Sequence, residues 1–183
     1  LDLDRLRAEL DERVLWVSAM HANNEIGVIQ DVAAIARLAH GVGALVHSDA
    51  AQSAGKIALD VRALGVDLLT LSGHKLYGPK GIGALWVRRR PPLALEPLQY
   101  GGGHERGLRS GTLPVPLCVG LGEAARIAAL EREVEALRIR SLRDRLWARI
   151  EREIPGALLN GHSEQRLPGN LNVCLPVESS ALL

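Results

Sequence analysis

The sequence predicts an α/β fold with a mixed, mainly parallel sheet lying between helices. Three observations predict it. Short apolar runs alternate with segments of helical period between Val14 and Val87. A polar motif follows each of three runs, as happens where strands of a parallel sheet open onto a ligand. The link from Lys75 to the next run, Ile82–Val87, is too short for a helical crossover, so that last strand is expected to turn back antiparallel.

The elements follow in order. Asp4–Glu12 reads as a charged helix with Leu at helical spacing, and Val14–Met20 as a buried strand. Asn23-Asn24-Glu25-Ile26-Gly27 is a polar loop. Asp31 is placed to cap a helix over Val32–His40, which Gly41 and Gly43 end. Ala44–His47 is a second strand, followed by helical turns at Ala51–Ala54 and Val61–Leu64. Asp67–Leu71 and Ile82–Val87 complete the strands of the first half. Tyr100–Thr112 is glycine-rich, of the kind that brings backbone N–H groups close to a phosphate. A long amphipathic helix is expected from Val119 to Ile154. Its apolar stripe slips in phase between Leu137 and Leu142, which marks a kink or a domain boundary. Pro155-Gly156 ends it. Leu171–Leu175 reads as a strand with the start of a helix after it.

The 183 residues carry a net charge of +1, which gives no global field for nucleic acid or anionic lipid. No apolar run reaches the ~18 residues of a membrane span, and no signal peptide is visible, so no nucleic acid and no membrane is expected as partner. Apolar residues make up 47% with no Phe, so the core must be aliphatic. Cys118 and Cys174 are far apart and suggest a reducing cytoplasm and no disulfide framework; each reads as a buried structural thiol. The chain begins with Leu1 and stops soon after a strand, and both ends read as cut from a longer protein. Uncovered edges and apolar faces are then expected to make the isolated chain prone to aggregate.

Chemistry concentrates in two stretches. Ser72-Gly73-His74-Lys75-Leu76-Tyr77-Gly78 places a lysine just past a strand, and His47-Ser48-Asp49-Ala50-Ala51-Gln52 places an acid at the end of another. Lysine and acid at neighbouring strand ends are what pyridoxal 5'-phosphate (PLP) needs: the amine forms a Schiff base and the carboxylate pairs with the pyridinium nitrogen. Alone, Asp49 would serve as a helix cap and Lys75 as a solvated side chain. Gln52, one turn on, is placed to reach the ring's phenolate oxygen. The six histidines have no zinc spacing, and Gly78-Pro79-Lys80-Gly81 precedes a strand where a Walker A loop would open a helix.

Four stretches in order carry a resemblance: Met20–Gly27, His47–Lys56, Ser72–Leu85 and Gly101–Pro114. Together they resemble the group I cysteine desulfurases (NifS/IscS type) among the class V aminotransferase-like PLP enzymes. The resemblance implies the large domain of the PLP-dependent transferase fold type I over residues 1–130, and the start of a small C-terminal α/β domain over 131–183. It implies that Lys75 carries the cofactor and moves protons, that Asp49 faces the ring nitrogen and that Gln52 faces the phenolate oxygen. Asn24 would lie near the cofactor oxygen or the substrate carboxylate. Ser72 and His74 would hold the phosphate, and Thr112 would reach the phosphate of a partner subunit in a homodimer. The implied reaction takes sulfur from L-cysteine, leaving L-alanine and an enzyme persulfide. Iron–sulfur scaffold and other sulfur-acceptor proteins would receive the sulfur. The family's persulfide cysteine and carboxylate-binding arginine match no position of this sequence, so little desulfurase activity is expected of this piece alone. Selenocysteine lyase, or a non-catalytic PLP-binding and dimerisation module, are the alternatives.

Overall fold

A computed structural model describes residues 1–176. The first half builds one sheet. Strands β1 (Trp16–Met20), β2 (Leu45–Asp49), β3 (Leu68–Ser72) and β4 (Gly83–Val87) lie side by side in chain order. The first three are parallel and β4 is antiparallel, with Thr70 opposite Leu85. This is the mixed, mainly parallel sheet that the sequence predicts.

Helix α1 (Leu3–Glu9) precedes β1, and α2 (Val32–Gly41) and α3 (Val61–Leu64) fill the crossovers. Asp31 caps α2 as expected, its Oδ1 accepting the Ala34 N–H at 2.8 Å. Gly65, at a φ of 68°, ends α3 in the left-handed region that suits glycine. The core lies between α2 and one face of the sheet. Val32, Ala36 and Ala39 pack on Val46 and Leu69, with Val17 and Trp86 at the margin. Side chains alternate across a strand, so Ser18, His47, Thr70 and Leu85 belong to the other face. That face is open: Trp16 and Leu85 are 43% and 50% exposed. The expectation that Val14–Met20 is buried therefore fails. No residue of β1 is fully buried: the core covers one side, and the other carries only in-sheet contacts.

Several element boundaries shift by a few residues. α1 stops at Glu9 because Leu10 is extended, and β1 starts at Trp16. The interruption expected between Leu137 and Leu142 is absent, because α4 runs unbroken from Val115 to Glu153. The slip in phase leaves the helix intact, and none of its residues is fully buried. Beyond it β5 (Leu158–Leu159) and β6 (Val173–Cys174) form a separate antiparallel pair. Cys174 is exposed on this ribbon, contrary to the buried thiol expected, and Cys118 is half-buried on α4. The helix start expected after Leu175 lies outside the described residues.

Candidate functional site

Because β1, β2 and β3 are parallel, their last residues, Met20, Asp49 and Ser72, share one edge of the sheet. Asp49 stands beside Met20 on one side and Thr70 on the other, with strands about 4.8 Å apart. Backbone bonds continue past the strand ends. His21 N–H donates to Asp49 O at 2.8 Å, and Ala50 N–H donates to Thr70 O at 2.9 Å.

Asp49 is half-buried, and one of its carboxylate oxygens accepts the Ala51 N–H at 2.8 Å. That Asx turn opens a helical turn in which Ala54 N–H donates to Ala50 O and Ile57 N–H to Ser53 O. Gln52 and Lys56 lie four residues apart on it, and Lys56 Nζ donates to Gln52 Oε1 at 3.3 Å. Burial holds the Lys56 ammonium below the usual lysine range, and the charge of nearby Lys75 adds to the effect.

Lys75 occupies a short 3-10 turn, Gly73–Leu76, directly after β3. Gly73 N–H donates to Ile82 O at 2.9 Å and Gly78 N–H to Gly73 O at 3.0 Å, so both ends of the turn are pinned. Leu76 anchors it in the interior while His74 and Lys75 face outward. Ser72 Oγ and His74 Nδ1 are 3.1 Å apart. α4 backs the turn closely: a Cβ on Gly78 would stand 3.1 Å from the Ala124 methyl, and one on Gly120 would strike Pro79.

A second polar row crosses the open face. Ser18 Oγ lies 2.8 Å from His47 Nδ1, and His47 Nε2 lies 3.3 Å from Thr70 Oγ1. Trp16 stacks on the His47 ring at 5.8 Å. Burial pushes the His47 imidazole down, and the Asp49 carboxylate partly opposes that. His47 and Asp49, two residues apart, share this face.

Asn24 is exposed in the loop after β1, and a distant part of the chain fixes that loop. Asn170 Nδ2 donates to Glu25 O at 2.9 Å, Leu167 N–H to Gly27 O at 2.9 Å and Ile29 N–H to Gln165 O at 2.9 Å. Arg166, only 2% exposed, reaches the carbonyls of Ile26, Asn160 and His162. A cavity of about 540 Å³ opens between this loop, the Gln52–Lys56 turn, Tyr77 and α4. Asn24, Gln52 and Lys56 line it.

The structure thus brings Asp49, Gln52, Ser72, His74 and Lys75 to one sheet edge, with Asn24 alongside. Thr112 stands apart. It is exposed, at the end of a segment whose hydrogen bonds close within itself, such as Ser110 N–H to Gln99 O. Sequence reasoning missed Lys56, the buried His21–Ser53 contact at 3.0 Å and the Arg166 clamp. The i,i+4 spacing of Gln52 and Lys56 was a visible signal for the first. Nothing local announced the other two. Among the described residues no cluster of three or more His, Cys, Asp or Glu could hold a metal, and no helix is long and apolar enough to cross a membrane.

The chain is similar to several known proteins. Cysteine desulfurase IscS of Ehrlichia chaffeensis is 51% identical over 185 residues, covering 100% of this chain and 45% of that protein. The IscS of Aeromonas hydrophila is 54% identical over 182 residues, covering 99% of this chain and 45% of that protein. The chain therefore spans less than half the length of these curated relatives. A solved NifS-like protein superposes with a TM-score of 0.91 at 39% identity, covering 100% of this chain and 50% of the other. The NifS-like protein of Rickettsia africae gives 0.90 at 31%, covering 100% and 51%. These likenesses make the sheet and its helices part of a PLP-dependent transferase type I fold. The aminotransferase class-V family pattern matches residues 1–181, and the chain belongs to that family.

Proposed function

We propose that this chain carries the cofactor-holding centre of a cysteine desulfurase, which takes sulfur from L-cysteine to leave L-alanine and a protein persulfide. One observation carries the reading: Asp49 and the Lys75 turn end adjacent strands on one sheet edge. The donor set fits PLP. It offers a carboxylate for a pyridinium nitrogen, an exposed amine for a Schiff base, and a hydroxyl–imidazole pair for a phosphate. When bound, PLP supplies an electron sink for charge developing at the substrate Cα.

The chain's own residues divide the work. The Ala51 N–H holds one oxygen of Asp49, and the other would pair with the ring nitrogen and keep it protonated. Lys75 would hold the cofactor and carry the proton at the substrate Cα. Its pinned turn fixes where the amine starts. Ser72 and His74 would hold the phosphate, Gln52 would donate to the phenolate oxygen, and Asn24 would contact the cofactor oxygen or the substrate carboxylate. Thr112, exposed and far along the chain, serves the phosphate of a second subunit in a homodimer. Iron–sulfur scaffold and thiolation proteins in the cytoplasm take the sulfur. The separate β5–β6 pair supports a division near residue 130 into a large domain and the start of a small one.

The test is a visible spectrum of the chain with added PLP, beside Lys75→Ala. A band that survives dialysis and is trapped by borohydride on Lys75, but absent in the variant, is the expected result. A folded chain without that band would overturn the reading for this chain.

A further inference from the structure

We propose that Lys56 is a positioning residue: it sets which way the Gln52 amide faces and thereby presents the Gln52 N–H donors to the bound anion. The proposal rests on the PLP reading above but begins from the contact itself. Lys56 Nζ lies 3.3 Å from Gln52 Oε1 on one helical turn. An ammonium has only donors, so the end of the amide turned toward it must be the oxygen. The NH₂ end is then directed away, as a donor for an anionic oxygen. Without Lys56 the amide is free to rotate and to offer its oxygen to that anion, which is repulsive.

The surroundings favour the arrangement. Both residues line the cavity of about 540 Å³ beside Asn24. Their turn is held by four backbone hydrogen bonds, from Ser53 and Ala54 to Ala50 and from Lys56 and Ile57 to Ser53, so the two side chains keep their spacing. Across the cavity α4 presents Glu131, Arg132, Glu135 and Arg138, and Lys75 adds a further charge. Glu135 is paired with Arg138 at 2.8 Å, and the Lys56 ammonium hydrogen-bonds to Gln52.

Two readouts test this on the full chain. In the PLP-loaded chain, the pH midpoint of the lysine-bound cofactor band should rise by about half to one unit in Lys56→Met, because the anion loses a donor. The midpoint should return in Lys56→Arg, which also has only donors. In a Gln52→Ala background Lys56→Met should add no further change. An equal shift with and without Gln52 would show Lys56 acting as a bare charge and would overturn the proposal, as would no shift at all. In the cofactor-free chain, the Gln52 side-chain N–H resonances should move on Lys56→Met. Resonances indifferent to that substitution overturn the positioning role whether or not PLP binds. Absence of any lysine-bound band in the parent chain counts against the cofactor reading alone, and the resonances then decide the role of Lys56.

Discussion

Asp67 and Arg88 form an ion pair at the foot of the β3–β4 ladder, opposite the edge that carries Lys75. Asp67 is wholly buried. Its carboxylate also accepts the Val46 N–H at 2.7 Å and meets His40 Nε2 at 2.9 Å. One side chain thus joins β2, β4 and the end of α2. Arg88 N–H donates to Asp67 O at 2.9 Å, so backbone and side chain close the same corner.

Asp67→Ala should therefore be among the most destabilising single changes. It strands a mostly buried guanidinium and an interior N–H, and breaking such a pair costs about 3–5 kcal/mol. The urea midpoint of the variant measures it. A loss under about 1 kcal/mol would show the corner to be held by packing alone.

Arg166→Met should loosen the Asn24 loop without unfolding the sheet. The change removes charge-assisted bonds to three carbonyls, each worth about 1.5–3 kcal/mol. Hydrogen exchange should quicken at Gly27 and Ile29 and stay unchanged at Val46 and Ser48. Uniform acceleration across the chain would contradict a local clamp.

Gly27→Ala attacks the same joint from the other side. Gly27 has a φ of 71°, and an added Cβ would meet the Asn170 side chain. The left-handed backbone alone costs about 1–2 kcal/mol with a side chain present. Melting of Gly27→Ala against Asn170→Gly and the double variant separates strain from collision, because glycine at 170 removes the Cβ that the added methyl would strike. The pair should be less than additive.

Acid should weaken the fold through His21 and His47. Burial lowers both imidazole pKa values in the folded chain, although Asp49 partly restores that of His47. The unfolded chain, with ordinary values of about 6.5, binds protons first as pH falls. Their contribution is complete above about pH 6.5 and is lost as pH drops toward the lower folded values. Urea midpoints should be lower at pH 5.5 than at 7.5, and His21→Gln should narrow the gap. An unchanged gap would assign the acid sensitivity elsewhere.

The fold was legible where local chemistry decides it. Short apolar runs ending in polar residues marked all four strands of the main sheet, and the short link after Lys75 foretold the antiparallel β4. Asp31 announced the start of α2 because its cap acts within three residues. Burial was less legible. Val14–Met20 reads as an interior strand, but whether both faces of a strand are covered depends on what else packs there. The site was readable to the extent that strand ends place it, so Asp49, Ser72 and Lys75 could be named together. The clamp on Asn24 was not readable, since Asn170 and Arg166 lie about 140 residues along the chain from the Glu25 and Ile26 carbonyls they hold in that loop.

Helix α4 joins these two kinds of structure. At its start it presses on the turn that carries Lys75. Near its end Arg143 donates to Leu167 O at 3.2 Å, beside the segment that clamps Asn24. Its 39 residues make a rod about 58 Å long. Its backbone is one continuous helix between the two contacts. A pivot of ten degrees where Gly120 meets Pro79 would carry the far end about 9 Å, by the same rise per residue. The lysine turn and the β5–β6 ribbon are in this sense the two ends of one lever.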